Sequence, residues 1–256
     1  MILRQHRTIV WEIVRYCCLW DLRKESIINM SNEYTKELLI DKASACLYGE
    51  RSDRVYLYVH GKNGFKEEAA AFADIANSKG YQVISVDLPD RGDCKPWEAV
   101  PILQGVLNYA KTRWNNISLY AVSIGAWFSM LAYGGGALKK CLFVSPVLDM
   151  ETLIENMMNW AGVTEGELER QKIIPTDFGE TLDYEYYQFA KKNPITAWSV
   201  PTEILYAEND SLTSGETVER FCERFDCGLN VFKGGEHWFH TEEQLAFLRK
   251  WESENT

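Results

Sequence analysis

The stretch LYAVSIGAWF, residues 119–128, decides how this chain is read. An apolar run from Ile117 to Val122 predicts a buried strand, and residues 126–133 (AWFSMLAY) predict a helix. Between them stands one hydroxyl, Ser123, with Ala121 two places before it and Gly125 two places after. A strand that turns sharply into a helix forces the corner residue out of the ordinary backbone regions. Its neighbours two places away must then be small, so that the two elements can close on each other. A tight turn that merely tolerates serine would look the same locally. The rest of the chain has to choose between a turn serine and a nucleophile held out at a corner.

Upstream, RVYLYVHG (54–61) is an apolar, aromatic run ending in glycine, which predicts another buried strand. KEEAAAFADIANSKG (66–80) has helical spacing with Gly80 as its stop, YQVISVDLP (81–89) reads as a strand, and residues 97–114 read as a helix with Pro101 near its start. KELLID and ASACLYG, between residues 36 and 49, read as a short antiparallel pair. Downstream, CLFVSPVL (141–148), TEILYAEND (202–210) and LNVFKGGEH (229–237) supply three more strands. Strands alternating with helices imply βαβ units and a mostly parallel sheet.

Residues 150–199 break this rhythm. They separate two strands by more than one crossover helix needs, and they carry Met157, Met158, Trp160, Phe178, Tyr184, Tyr186, Tyr187 and Phe189. The expected organisation is an N-terminal extension over 1–29, a core over 30–149 and 200–256, and a helical cap over 150–199. The cap would lie over the C-terminal sheet edge, where open α/β sheets bind ligands.

Three further features fall in order around Ser123. YVHGKNG ends a strand before it, YAENDSLT places Asp210 at a strand end after it, and GGEHWFH places His237 in a loop near the C-terminus. Serine, then acid, then histidine, each beyond a strand, is the order of the α/β-hydrolase fold. From about residue 36 onward the sequence resembles that superfamily. Within it, the chain is similar to the small bacterial esterase and lipase branch with a short cap, which includes feruloyl-esterase-like and monoacylglycerol-lipase-like enzymes. Two positions depart from the usual pattern. Ala121 replaces the first glycine of the elbow, a variation the superfamily itself uses. DRGDC (90–94) stands where many relatives carry a G-x-G-x-S turn, so no role is carried over to it.

The resemblance implies a serine hydrolase of small carboxylic esters working through an acyl-enzyme. Ser123 would be the nucleophile, His237 the base and Asp210 the orienting acid. The backbone N–H groups of Lys62 and Ile124 would form the oxyanion hole, and His60 would support its loop. Met158 and Trp160 are the candidate acyl contacts in the cap. Alternatives stay open at several positions. Asp210 also suits a helix N-cap, with Glu208 the rival acid, and His240 is the rival base. A thioesterase, a peptidase, or a catalytically quiet ligand-binding protein would share the same pattern.

Composition narrows the field. A net charge of −10 over 256 residues, with no dense Lys/Arg cluster, argues against nucleic acid. The seven scattered cysteines form no CxxC pair, which favours reduced thiols in a cytoplasm and gives no support to structural zinc. Two matches to the glycosylation sequon, at Asn116 and Asn209, need a secreted context to matter. TIVWEIVRYCCLWDLRK is interrupted by Glu12, Arg15 and Asp21, so it reads as an amphipathic helix and not as a membrane anchor. The expectation is a cytoplasmic enzyme with a small-molecule ester substrate and neither metal nor organic cofactor.

Overall fold

The computed structural model describes residues 35–134 and 136–256. The amphipathic helix expected near the N-terminus, with Cys17 and Cys18, lies outside the described residues. The described chain divides into two compact units, one spanning Asp149–Pro194 and the other comprising 35–148 with 195–256. No helix among the described residues is long and apolar enough to cross a membrane.

The larger unit is built on an eight-stranded sheet. In chain order its strands are β1 (Lys36–Ile40), β2 (Ala43–Tyr48), β3 (Arg54–Val59), β4 (Gln82–Val86), β5 (Asn116–Val122) and β6 (Cys141–Val144). A two-stranded hairpin in the smaller unit supplies β7 (Ile173–Pro175) and β8 (Thr181–Asp183), and β9 (Thr202–Ala207) and β10 (Gly228–Phe232) complete the sheet. Its spatial order is β1-β2-β4-β3-β5-β6-β9-β10. β1 and β2 are antiparallel to their neighbours, and every pair from β4 to β10 is parallel. The helices of this unit are α1 (Ala70–Ser78), α2 (Pro96–Lys111) and α3 (Ile124–Tyr133), and then α7 (Gly215–Phe225) and α8 (Glu242–Asn255). The smaller unit holds α4 (Met150–Ala161), α5 (Glu165–Gln171) and α6 (Tyr184–Lys192).

The near-continuous apolar runs of β3 and β4 follow from burial on both faces, and every residue of Val55–Val59 and Gln82–Val86 is buried. On one face Tyr58 stacks on Tyr120 at 5.0 Å between ring centroids, and Phe72 of α1 lies 4.1 Å from Tyr120. Such aromatic pairs add to the burial of their apolar area. The chain runs from β3 outward to β4 and then back across β3 to β5. The strand order therefore reverses between β3 and β5, where parallel sheets open a crevice beyond their C-terminal ends. The loops that follow these two strands carry His60–Gly64 and Ser123.

Beside its three helices the smaller unit holds a short hairpin that the sequence did not announce. Ile173–Pro175 and Thr181–Asp183 pair antiparallel, with Ile174 opposite Leu182. The β-branched residues here suit strands, and Thr176-Asp177-Phe178-Gly179 between them is turn chemistry, with Gly179 at φ 86°. Thr176 Oγ1 donates to the Glu180 carbonyl across this turn. Tyr187 donates to Glu155 Oε1 at 2.9 Å, joining α6 to α4.

Candidate active site

The corner at Ser123 is strained in the manner the flanking small residues suggest. Ser123 has φ 51° and ψ −124°, a region non-glycine residues rarely occupy, at a cost of roughly 1–3 kcal/mol. Main-chain bonds hold it there. Its N–H donates to the Val144 carbonyl at 3.0 Å, and its own carbonyl accepts from Val147 N–H at 3.0 Å. Gly125 explains why the elbow needs a small residue on that side. A Cβ at this position would lie 2.5 Å from the His60 carbonyl oxygen and 2.8 Å from that of Val59. Ala121 is fully buried between Val59 and Phe143, its register partners on the adjacent strands.

His237 meets the serine. Ser123 Oγ and His237 Nε2 are 2.8 Å apart, and His237 Nδ1 lies 2.6 Å from Asp210 Oδ2. The Asp210 side chain is fully buried and that of His237 nearly so. Asp210 Oδ1 accepts from the N–H groups of Leu212 (2.8 Å) and Thr213 (3.0 Å). A carboxylate has only acceptor oxygens to offer, so the Nδ1–Asp210 hydrogen bond requires the imidazole proton on Nδ1 and leaves Nε2 with its lone pair toward the serine hydroxyl. This arrangement lets the imidazole take the proton of Ser123.

The rival residues stand elsewhere. Glu208 accepts from Gly234 N–H at 2.9 Å and is exposed. His240 stacks on Trp238 and places Nδ1 2.9 Å from that residue's carbonyl, at the start of α8. The helix after Asp210 has its own N-cap, Ser214, which accepts from Thr217 N–H at 3.2 Å. Asp210 is thus free of the capping duty that its sequence context also suited. The two donors that grip Asp210 were not singled out from the sequence. The signal was present, since Asp followed by Ser-Leu-Thr is the setting for an aspartate that bonds the backbone two and three residues on.

The loop after β3 lies against the elbow. A Cβ on Gly61 would come within 3.1 Å of Ser123 Cβ, so Lys62 follows directly on a residue that lies against Ser123. His60 is fully buried and its ring bridges two main-chain groups. Leu88 N–H donates to Nε2 at 3.0 Å, so the proton is on Nδ1, which donates to the Gly61 carbonyl at 2.7 Å. Burial pushes the His60 pKa below its ordinary 6.5 and keeps the ring neutral. The Lys62 ammonium pairs with Asp93 at 3.1 Å. Ile124 is the first residue of α3. Met158 and Trp160 belong to the smaller unit. Met158 is buried there, and Trp160 packs edge-on against Phe178 with centroids 6.1 Å apart. No group of three or more His, Cys, Asp or Glu side chains among the described residues is placed to hold a metal ion.

This fold is that of the α/β hydrolases, and solved structures of that class superpose on it. Est1E from Butyrivibrio proteoclasticus matches with a TM-score of 0.70 at 18% identity, covering 87% of this chain and 97% of its own. A putative hydrolase from Agrobacterium vitis S4 matches at 0.68 and 14% identity, over 84% of this chain and 96% of the other. The monoacylglycerol lipase of Paleococcus ferrophilus matches at 0.60 and 16%, over 84% and 99%. No family model matches the sequence, and no curated protein matches it at a significant level.

Proposed function

We propose that the protein is a serine hydrolase that cleaves a small carboxylic ester through an acyl-enzyme. The observation that carries this reading is the continuous relay from Ser123 Oγ through His237 to buried Asp210, at 2.8 and 2.6 Å, on a serine with φ 51°. The hydroxyl oxygen attacks the ester carbonyl carbon as its proton passes to His237 Nε2. Asp210 holds the ring in the tautomer that can accept that proton and stabilises the imidazolium that results. The N–H groups of Ile124 and Lys62 are assigned to the developing oxyanion, whose stabilisation is usually the largest single contribution. Collapse of the tetrahedral adduct expels the alcohol, which takes the proton from Nε2. Water, deprotonated by the same nitrogen, then releases the acid and restores Ser123.

Structural neighbours favour esters over other acyl substrates. A structure of Est1E holds ferulic acid, and another neighbour is a monoacylglycerol lipase. The insertion between β6 and β9 is assigned the choice of acyl group, because it leaves the sheet directly after the strand beside Ser123 and is rich in aromatic residues.

The test is labelling with a fluorophosphonate probe together with hydrolysis of graded p-nitrophenyl esters. Wild type should label on Ser123 and turn over. Ser123→Ala and His237→Ala should each lose several orders of magnitude in kcat with unchanged circular dichroism, while His240→Ala keeps partial activity. Turnover retained in folded Ser123→Ala would refute the assignment.

A further inference from the structure

The turn after β4 was given no role from sequence, yet it is sewn to the loop that carries Lys62. Asp90, Arg91 and Gly92 are consecutive left-handed residues, with φ of 44°, 57° and 82°. Such a run is rare outside glycine and persists only where surrounding contacts hold it. Those contacts reach the 60–66 segment at five places. Leu88 N–H donates to His60 Nε2, the Arg91 guanidinium donates to the Asn63 carbonyl, and Asp93 pairs with Lys62. Asp87 accepts from the Lys66 N–H at 2.8 Å. Gly92 packs so closely that a Cβ there would lie 2.8 Å from the Gly61 oxygen and 3.3 Å from Lys62 Cα.

The consequence follows from the planarity of one peptide. In a trans peptide the C=O of Gly61 and the N–H of Lys62 point in opposite directions. The Gly61 oxygen is pinned by His60 Nδ1–H at 2.7 Å and by Gly64 N–H at 3.1 Å, and Gly92 closes its remaining side. Fixing that oxygen fixes the aim of the Lys62 N–H. We propose that the Asp90–Gly92 turn is a brace that sets this peptide plane, with Arg91 as its positioning residue. No contact with the reacting groups is assigned to Arg91. It acts by tying Asn63, two residues past the bond in question and itself at φ 62°, to the turn. The inference rests on the proposed ester hydrolysis for its functional meaning, and on contacts alone for the brace.

The two parts are tested separately on the full-length protein. Hydrogen–deuterium exchange of residues 61–65 in Arg91→Ala and Gly92→Ala reads the brace directly. Exchange should quicken about tenfold or more in both, with Arg91→Lys falling between because an ammonium can still reach the Asn63 carbonyl. Kinetics on the same proteins read the function. Arg91→Ala should lower kcat about tenfold with KM within twofold of wild type, and a boronic-acid mimic of the tetrahedral adduct should lose affinity in proportion. A purely structural contact would shift the melting temperature without that parallel. Unchanged exchange in both variants overturns the brace. Quickened exchange with unaltered kcat overturns its role in placing the oxyanion donor. A wild-type protein that neither takes a fluorophosphonate nor hydrolyses esters overturns the functional reading instead, and leaves the exchange result to decide the brace alone.

Discussion

Replacing Glu252 with glutamine should flatten the dependence of stability on pH. Glu252 lies on α8 and is 3% exposed, and the Tyr120 hydroxyl donates to its Oε1 at 2.5 Å. Burial pushes its pKa from the ordinary 4.5 up to about 7, against smaller opposing effects from Tyr120 and Arg249. Between those two values the folded protein binds a proton that the unfolded chain has released. Stability is therefore greatest below pH 4.5 on this group's account, and it falls as pH rises through 7. A difference of about 2.5 pH units corresponds to about 3 kcal/mol, most of it lost between pH 5 and 8. Glutamine keeps an acceptor for Tyr120 and cannot ionise. Urea denaturation of both proteins at pH 5 and pH 8 isolates the effect, because every other group titrates in both. The wild-type loss should exceed that of Glu252→Gln by about 2–3 kcal/mol. Equal losses would show that Glu252 ionises alike in the folded and unfolded chains, and the argument from burial would fall.

Other perturbations reach the site itself. Asp210→Asn should cost about 10⁴-fold in kcat, since its amide can donate to His237 and favour the wrong tautomer. Glu208→Gln should change kcat little, and reversed ranks would make Glu208 the orienting acid. Gly125→Ala sets a methyl against two backbone oxygens that cannot yield. It should destabilise by about 1–3 kcal/mol in urea and slow ester turnover at least tenfold, and a fully stable, active variant would contradict the elbow geometry. Trp160→Ala, and Met158→Ala if it folds, should shift preference among acyl chain lengths by about 1–3 kcal/mol relative to an acetyl ester. An unaltered profile would take the insertion out of substrate choice.

Much of the fold was legible because a buried parallel sheet writes itself into sequence as apolar runs. Val55–Val59, Gln82–Val86 and Asn116–Val122 announced their strands in that way. The meeting of Ser123, Asp210 and His237 was legible because each stands beyond a strand, and because Ala121 and Gly125 made room at the corner. The boundaries shifted where local hydrogen bonding decides them. The predicted 66–80 helix begins as a 3-10 turn over Lys66–Ala69, where Lys66 is drawn to Asp87. The β7–β8 hairpin went unseen because three-residue strands leave too short a pattern to show a period of two. The left-handed turn at Asp90–Gly92 was illegible for a different reason. Asp tolerates that conformation only as a single residue and Arg does not favour it, so contacts across the sheet edge, invisible in one dimension, impose the run.

Where the three relay residues stand in the sheet bears on how activity would be lost. Ser123 follows β5, deep in the sheet, while Asp210 follows β9 and His237 follows β10, the edge strand. Among the described residues β10 has a single neighbour, and its five residues are all at least partly exposed. Segments of that kind open locally at far smaller free energies than the centre of the same sheet. A brief fraying of β10 would carry the imidazole away from a serine whose own surroundings stay intact. The lifetime of the working site would then be governed by the looseness of one peripheral strand, and heat or mild urea would silence the protein while most of its spectroscopic signal still reported a native fold.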